Sequence, residues 1–147
     1  MSEMPYLSVV IPAYNEARRL PLTLEKLAAF FGELGRPYEV LVIVERSADA
    51  TLEIAAAFAA RQAHFHIVDN LVQRGKGHAV RTGMLRARGE FIFYMDADLS
   101  VPLAAIPEFL ARFHADPRAD VLLGNRQHAR SRITRRQAWL RRTMGQS

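Results

Sequence analysis

Residues 91–98 read FIFYMDAD, and this stretch decides the fold that we expect. Five consecutive apolar residues predict a strand buried on both faces, as in a parallel sheet. Asp96 and Asp98 follow where that strand should end. Ligands of open α/β sheets bind beyond the carboxyl ends of the strands, and paired carboxylates there suit a hard divalent cation shared with a diphosphate. The stretch therefore predicts a metal site, although Asp-x-Asp can also simply cap the next helix.

On both sides of this stretch, predicted strands alternate with predicted helices. The other predicted strands are short apolar runs: Leu7–Ile11, Val40–Val44, Phe65–Val68 and Val121–Leu123. Pro12 is expected to stop the first strand because it cannot donate to a ladder. The predicted helices begin near Ala17, near Ala50, after Gly77 and at about Pro102. This alternation predicts an α/β fold, with a mostly parallel sheet and right-handed crossovers.

Apolar residues at helical spacing predict which face of each helix is buried. The first helix is expected to bury Leu20, Leu24, Leu27 and Phe31. The third is expected to bury Val80, Met84, Leu85 and Ala87, and the fourth Ile106, Phe109, Leu110 and Phe113.

Length and composition indicate a single domain of 147 residues, half of them apolar. The chain has no cysteine, which excludes disulfides and thiolate metal sites and fits a cytoplasmic protein. No near-apolar stretch approaches the roughly 18 residues of a membrane-spanning helix. The first residues lack the basic and apolar regions of a signal peptide.

Positive charge is concentrated at the end of the chain. No acidic residue follows Asp120, whereas seven arginines do: Arg126, Arg130, Arg132, Arg135, Arg136, Arg141 and Arg142. Since these contribute +7 to a net charge of +5, residues 1–120 carry −2. Such a basic tail can attract nucleic acid, anionic lipid or a phosphorylated substrate, or it can be a solvated helix face.

Four blocks of sequence, in order, resemble the family 2 glycosyltransferases, which are inverting nucleotide-sugar enzymes with the GT-A (Rossmann-like) fold. The blocks are Val9–Glu16, Arg74–Glu90, Met95–Pro102 and Gly124–Arg126. Their residues are most similar to those of the dolichyl-phosphate (polyprenyl-phosphate) glucosyl- and mannosyltransferase branch. The resemblance implies a GT-A sheet flanked by helices, here apparently lacking its C-terminal part.

The resemblance also implies roles for individual residues. A Mg²⁺ or Mn²⁺ ion would be held by Asp98 and, less directly, Asp96, in the DXD motif of the family. Contacts to a nucleotide-diphosphate sugar are expected from residues that follow three of the strands and precede the third helix: Pro12, Ala13, Tyr14, Glu16, Glu45, Lys76, Asp96 and Ala97. The catalytic set would be Asp96, Asp98 and Arg126.

Two of these assignments have structural alternatives. The run Gly75-Lys76-Gly77 offers close backbone approach and one cation to a phosphate before a helix N-terminus, but Lys76 can equally be an ordinary loop lysine. The run does not satisfy the P-loop pattern. Glu16 is expected to contact the nucleoside, whereas Asn15 beside it is also a plausible N-cap of the first helix.

One block departs from the family pattern. Residues 43–51 read IVERSADAT, where the family usually has Val-Asp-Asp-Gly-Ser-x-Asp-x-Thr. Val44 and Glu45 thus stand in place of two aspartates, and Arg46 in place of a glycine, which puts base selectivity in doubt. Glu45 can still accept a hydrogen bond from a base. Asp49 is expected to cap the helix that begins near Ala50.

The acceptor implied by the resemblance is a polyprenyl phosphate. A phosphate is already anionic at pH 7, so attack needs arginines for positioning and no general base. Arg126 is the candidate. Residues 1–125 would form the nucleotide-sugar-binding domain, and residues 126–147 a basic helix of the same domain at an anionic membrane surface. The protein would then be cytoplasmic and peripheral at the inner face of the membrane.

Two other classes remain as alternatives. The chain looks short for the family, so it could be an incomplete, inactive fragment that binds nucleotide-sugar without transferring it. A nucleic-acid-binding module is disfavoured because the tail has no aromatic residue besides Trp139 and the body is net acidic.

Overall fold

A computed structural model describes residues 4–70 and 74–124. Its strands are β1 (Leu7–Ala13), β2 (Tyr38–Glu45), β3 (Phe65–Asn70) and β4 (Phe91–Tyr94). Its helices are α1 (Leu20–Leu34), α2 (Thr51–Ala59), α3 (Lys76–Arg86) and α4 (Ala105–Ala115). The chain divides into two compact units, residues 1–110 and 111–147. The predicted boundary at residues 125 and 126, the predicted basic helix and Arg126 itself lie outside the described residues.

The first unit contains a four-stranded parallel sheet in the order β3-β2-β1-β4. The predicted α/β class is therefore confirmed. Pro12 does not stop β1, which continues through Ala13 in register with Val44. Val10 accepts the Met95 N–H on the β4 side, and residues two apart point the same way. The missing N–H of Pro12 therefore faces the region beyond the last paired residue of β4, where no ladder bond is lost.

The main apolar core lies on one face of the sheet, against α1, α2 and α4. Leu7, Val9 and Ile11 of β1 point into it. The predicted stripe of α1 is confirmed, because its four members are buried there: Leu20, Leu24, Leu27 and Phe31. Each fully buried side chain of this size contributes about 1.5–3 kcal/mol. Ile106 and Leu110 of α4 join the same core, as predicted.

The buried face of α3 differs from the prediction. Its buried residues are Ala79 and Gly83, whereas Met84 and Leu85 are 42% and 69% exposed. A Cβ atom at Gly83 would lie 2.3 Å from Cγ1 of Val10. Small residues thus let α3 pack closely on the second face of the sheet, and this close approach, rather than apolar spacing, selects the buried face.

The expectation that residues 91–95 are buried on both faces is wrong. Phe91 and Phe93 are half-buried on the main-core side, but Ile92 and Tyr94 are 40% and 39% exposed. Within the described sheet β4 is an edge strand that pairs only with β1. The run is therefore apolar without being central.

The predicted strand Val121–Leu123 is also not formed. Residues 121–124 belong to the second unit and have no regular secondary structure, and Val121 and Leu123 are exposed. An apolar run forms a strand only if it pairs with a neighbouring strand. The sequence pattern showed β propensity but no such partner.

A buried polar network links β1, β2 and the segment between α3 and β4. The Ser8 hydroxyl donates to Glu39 Oε1 at 2.6 Å, and the Arg88 N–H donates to the same oxygen at 2.7 Å. Arg88 Nη2 lies 3.1 Å from Glu39 Oε2, and the Gly89 N–H donates to Ser8 Oγ. Burial raises the pKa of Glu39, but these hydrogen bonds outweigh it and hold the pKa below its usual value.

Among the helices of the described ranges, none is long and apolar enough to cross a bilayer.

Replacement of Gly83 by Ala should destabilise the fold by about 1–3 kcal/mol, because the added methyl group overlaps Val10 and the core must shift. Gly77→Ala in the same helix is the matched control, since a Cβ there meets nothing within 4 Å. That variant should be neutral or up to about 1 kcal/mol more stable. Urea unfolding measures both, and equal effects would contradict the proposed close packing.

Replacement of Glu39 by Gln should cost about 1.5–3 kcal/mol at neutral pH, because charge-assisted hydrogen bonds are lost. A carboxyl group whose pKa is depressed on folding stabilises above its unfolded pKa, and the stabilisation is lost as pH falls through the folded pKa. The difference between parent and variant should therefore shrink below about pH 4. Exposed Glu33→Gln is the control, and a pH-independent difference in urea unfolding would count against this assignment.

Candidate active site

The candidate site lies at the carboxyl ends of the strands, where the loops after β1, β2 and β4 meet the start of α3. In parallel α/β sheets this edge is where ligands bind. Most of the residues that the sequence analysis assigned to a nucleotide-sugar lie at this edge within the described part of the chain.

The turn after β4 is held in place from two sides. The Met95 N–H donates to the Val10 carbonyl at 3.1 Å, and the buried Ala97 carbonyl accepts the Thr23 hydroxyl of α1 at 2.6 Å. Asp98 Oδ1 accepts the Ser100 N–H at 2.9 Å. Because α4 begins only at Ala105, Asp98 stabilises its own turn and does not cap the next helix. The exposed Asp98 carboxylate is thus presented from a fixed backbone.

Lys76 and Asp96, predicted from separate motifs, form an ion pair. Lys76 Nζ lies 2.6 Å from Asp96 Oδ1. Partial burial lowers the pKa of Lys76, but hydrogen bonding to Asp96 and to Tyr94 outweighs it and leaves the pKa raised. Lys76 is therefore the first residue of α3 and pairs with a carboxylate of the candidate site, whereas its contact with a phosphate stays a prediction.

Tyr94 is a site residue that sequence reasoning missed. Its hydroxyl donates to Asp96 Oδ1 at 2.9 Å, and Lys76 Nζ lies 5.4 Å from its ring centroid. Burial raises the pKa of Tyr94, and the neighbouring Asp96 adds to this while Lys76 opposes it. The sequence analysis places Tyr94 in a doubly buried strand, and the available signal was a tyrosine two residues before Asp96.

The site is rich in negative charge. Partial burial raises the pKa of Glu16, Arg19 at 3.7 Å lowers it, and the nearby carboxylates of Asp98, Asp49 and Asp96 raise it again. The carboxylates of Asp49, Asp96 and Asp98 are therefore each close enough to Glu16 to interact with it.

The metal assignment can be tested against the side chains. The described ranges contain no group of three or more His, Asp or Glu side chains that could hold an ion alone. Mg²⁺ is usually held by one or two carboxylates together with substrate phosphates. Asp98, with Asp96 two residues before it, fits such a partial set of oxygen ligands, which a diphosphate would complete.

Asn15 joins the loops after β1 and β2. Its N–H donates to Ser47 Oγ at 3.0 Å, and its Oδ1 accepts the Ala48 N–H at 2.8 Å. Its φ of 50° is left-handed, which asparagine tolerates better than most residues. Since α1 begins only at Leu20, the expectation that Asn15 caps it is wrong.

Asp49 supports the start of α2, as expected, although the N-cap residue itself is Ala50. Its carboxylate accepts the N–H and hydroxyl of Thr51 at the start of α2, and also the Ala17 N–H at 3.1 Å. Thr51 Oγ1 in turn accepts the Glu16 N–H at 2.9 Å. The backbone that presents Glu16 is thereby tied to the loop after β2.

The block that departs from the family pattern is accommodated by packing. Val44 is buried in the main core, and Arg46 is exposed with an ordinary negative φ. Glu45 is buried, and its Oε1 accepts the Arg74 N–H at 3.2 Å ahead of α3. The carboxylate thus holds the segment leading to Lys76, and its contact with a base stays a prediction.

The remaining nucleotide-sugar candidates line the end of β1. Pro12 is half-buried, Ala13 is buried and Tyr14 is exposed. Tyr14 is therefore the most exposed of the three, and the contact of all three with a nucleotide-sugar stays a prediction.

Comparison with known proteins gives a consistent match. The sequence model of Glycosyl transferase family 2 matches residues 8–146. A dolichyl-phosphate beta-glucosyltransferase of Drosophila melanogaster is 41% identical over 99 residues, covering 63% of this chain and 30% of that protein. An undecaprenyl-phosphate 4-deoxy-4-formamido-L-arabinose transferase of Salmonella paratyphi A is 34% identical over 134 residues, covering 90% and 40%. The chain thus spans less than half the length of these relatives, which belong to the predicted polyprenyl-phosphate branch.

Solved structures agree with the fold. The mannosyltransferase PcManGT from Pyrobaculum calidifontis, in complex with GDP-Man and Mn²⁺, has a TM-score of 0.60 at 28% identity, covering 79% of this chain and 34% of its own. S. aureus TarS 1-349 in complex with UDP has a TM-score of 0.55 at 22% identity, covering 74% and 32%. The predicted GT-A class is therefore confirmed. Because the family's sequence model matches nearly the whole chain and the parallel sheet agrees with it, this protein belongs to glycosyl transferase family 2.

Proposed function

We propose that this chain forms the nucleotide-sugar site of an inverting glycosyltransferase that moves a hexose from a UDP- or GDP-sugar to a polyprenyl phosphate. The observation that carries the proposal is the Asp96-Ala97-Asp98 turn, anchored to α1 through Thr23 and to Lys76 through an ion pair. Two relatives named as polyprenyl-phosphate transferases, and a mannosyltransferase solved with GDP-Man and Mn²⁺, support it.

The donor would occupy the carboxyl edge of the sheet. Asp98 and Asp96 would hold Mg²⁺ or Mn²⁺, which supplies Lewis-acid stabilisation of a departing diphosphate when bound. Lys76, at the first residue of α3, adds a cation and a helix N-terminus toward the same phosphates. Glu16 and Tyr14 would contact the nucleoside from the end of β1.

The acceptor would be the phosphate of a polyprenyl chain. Its charge at pH 7 removes the need for a general base, and Arg126 would position it through bidentate hydrogen bonds. The arginines beyond residue 126 would hold the protein at the anionic inner face of the membrane, where each adds about 1 kcal/mol at low salt.

Replacement of Asp98 by Asn should remove the Mn²⁺-dependent part of donor binding while keeping an acceptor for the Ser100 N–H. A ligand at 100 times its Kd stabilises a protein by about 2.7 kcal/mol. The parent should show such a stabilisation in thermal unfolding with UDP or GDP plus Mn²⁺, and the variant should show far less. Asp116→Asn, on an exposed turn of the second unit, is the control. If Asp98→Asn responds like the parent, the metal assignment is wrong.

Replacement of Arg126 by Gln should abolish transfer to polyprenyl phosphate while leaving nucleotide binding and anionic-liposome binding unchanged, because only the acceptor contact is lost. Transfer is followed with a radiolabelled donor, and liposome binding by co-sedimentation at several salt concentrations.

The matched control replaces Arg135, Arg136, Arg141 and Arg142 by Gln. It should lose most liposome binding but keep nucleotide binding. Equal binding of the parent to neutral and anionic liposomes would rule out the membrane-surface role. Undiminished transfer by Arg126→Gln would rule out the acceptor role.

A further inference from the structure

We propose that Lys76 and Asp96 form a partner-exchange pair, which couples metal binding to diphosphate binding. In this exchange the divalent cation takes Asp96 from Lys76, and the released ammonium group binds the diphosphate of the donor. The inference rests on the proposed function, and it concerns how the two ligands of that site depend on each other.

Several groups would compete for the carboxylate of Asp96. Asp96 Oδ1 receives both the Lys76 ammonium group, at 2.6 Å, and the Tyr94 hydroxyl, at 2.9 Å. A metal ion that binds through Asp96 must therefore compete with donors already in place. Distances this short are typical of charge-assisted hydrogen bonds, so Lys76 is the stronger competitor.

Lys76 can exchange one partner for another at a small cost in free energy. Its side chain is 58% exposed, and ion pairs with this much solvent contact are weak. The lysine stem is flexible and carries a point charge that binds from many directions. Lys76 is also the first residue of α3, so the lysine and the first-turn N–H groups belong to the same end of the helix. A diphosphate placed there would meet both.

The surrounding site carries negative charge. The carboxylates of Asp49, Asp96 and Asp98 each lie near enough to Glu16 to raise its pKa, so the Lys76–Asp96 ion pair neutralises part of a negative cluster. A cation alone must displace Lys76 and leave the ammonium group without its carboxylate. A diphosphate alone must draw Lys76 away and break its ion pair with Asp96.

When both ligands bind, the ion pair is broken only once, because the metal ion takes the Asp96 carboxylate and the diphosphate takes the Lys76 ammonium group. Each ligand therefore increases the affinity for the other, and the two increases are equal by thermodynamic linkage. Lys76 thus keeps Asp96 occupied until metal and nucleotide arrive together, and then binds the diphosphate itself.

The test measures Mn²⁺ binding without nucleotide, from the EPR signal of the free ion. Lys76→Met removes the competitor and should bind Mn²⁺ about fivefold more tightly than the parent, the factor expected for loss of one exposed ion pair. Arg19→Met is the matched control, because Arg19 lies 3.7 Å from Glu16 in the same cluster. It removes one positive charge without releasing Asp96, and should change Mn²⁺ affinity less than twofold.

A second readout is the coupling itself. The ratio of Mn²⁺ affinities with and without UDP or GDP should fall in Lys76→Met and stay at the parent value in Arg19→Met. The apo melting temperature of both variants should match the parent, since both side chains are mostly exposed.

Equal Mn²⁺ affinities of parent and Lys76→Met, or equal shifts in both variants, would overturn the exchange. This failure is distinct from failure of the proposed function. If Asp98→Asn still loses Mn²⁺-dependent nucleotide binding, the donor site stands without the exchange. If it does not, the donor site itself is wrong.

Discussion

The central position of β1 is the constraint on which the rest of the structure depends. Its odd-numbered residues pack into the core against α1, α2 and α4, and Val10 packs against α3 on the other face. Because β1 also pairs in parallel with both β2 and β4, their carboxyl ends are brought to the same edge. Loops that are about 30 to 80 residues apart in sequence therefore meet there. The direction of the strands brings these loops together, and their side chains then determine what the candidate site can bind.

Within this edge, the loops are held by hydrogen bonds between them. Asn15 binds the loop after β2, Thr23 holds the Ala97 carbonyl, and Glu45 holds the backbone of Arg74. The site depends on each of these groups even where the group does not contact a ligand. Each fixes the backbone from which a charged side chain extends, so a large share of the polar residues near the site serves geometry rather than chemistry.

Sequence periodicity predicted the class of fold and nearly every element because local patterns determine them. The α1 stripe illustrates this, since Leu20, Leu24, Leu27 and Phe31 are apolar, evenly spaced and buried. Periodicity failed where burial depends on a neighbour. Phe91–Tyr94 is apolar enough for a central strand but lies at the edge of the described sheet, and nothing in its own residues distinguishes the two positions.

The sequence predicted the carboxylates of the site but not the contacts between its loops. Asp96 and Asp98 are marked by the apolar run before them and by the family motif. The contact between Lys76 and Asp96 connects the two ends of a segment that contains α3 and β4, and Asn15, expected to cap the next helix, instead binds the loop after β2. Side chains whose partners lie on another loop carry no periodic signal.

Gly83 has a consequence beyond packing density. The absence of a side chain there sets how near the axis of α3 can come to the sheet, and Lys76 is carried on the same rigid helix two turns away. The glycine therefore helps to set the distance between the Lys76 ammonium group and the Asp96 carboxylate. A larger residue at position 83 would move α3 away from the sheet and displace the Lys76 charge at the other end of the helix. A substitution made for stability alone would therefore also change the geometry of the ligand site.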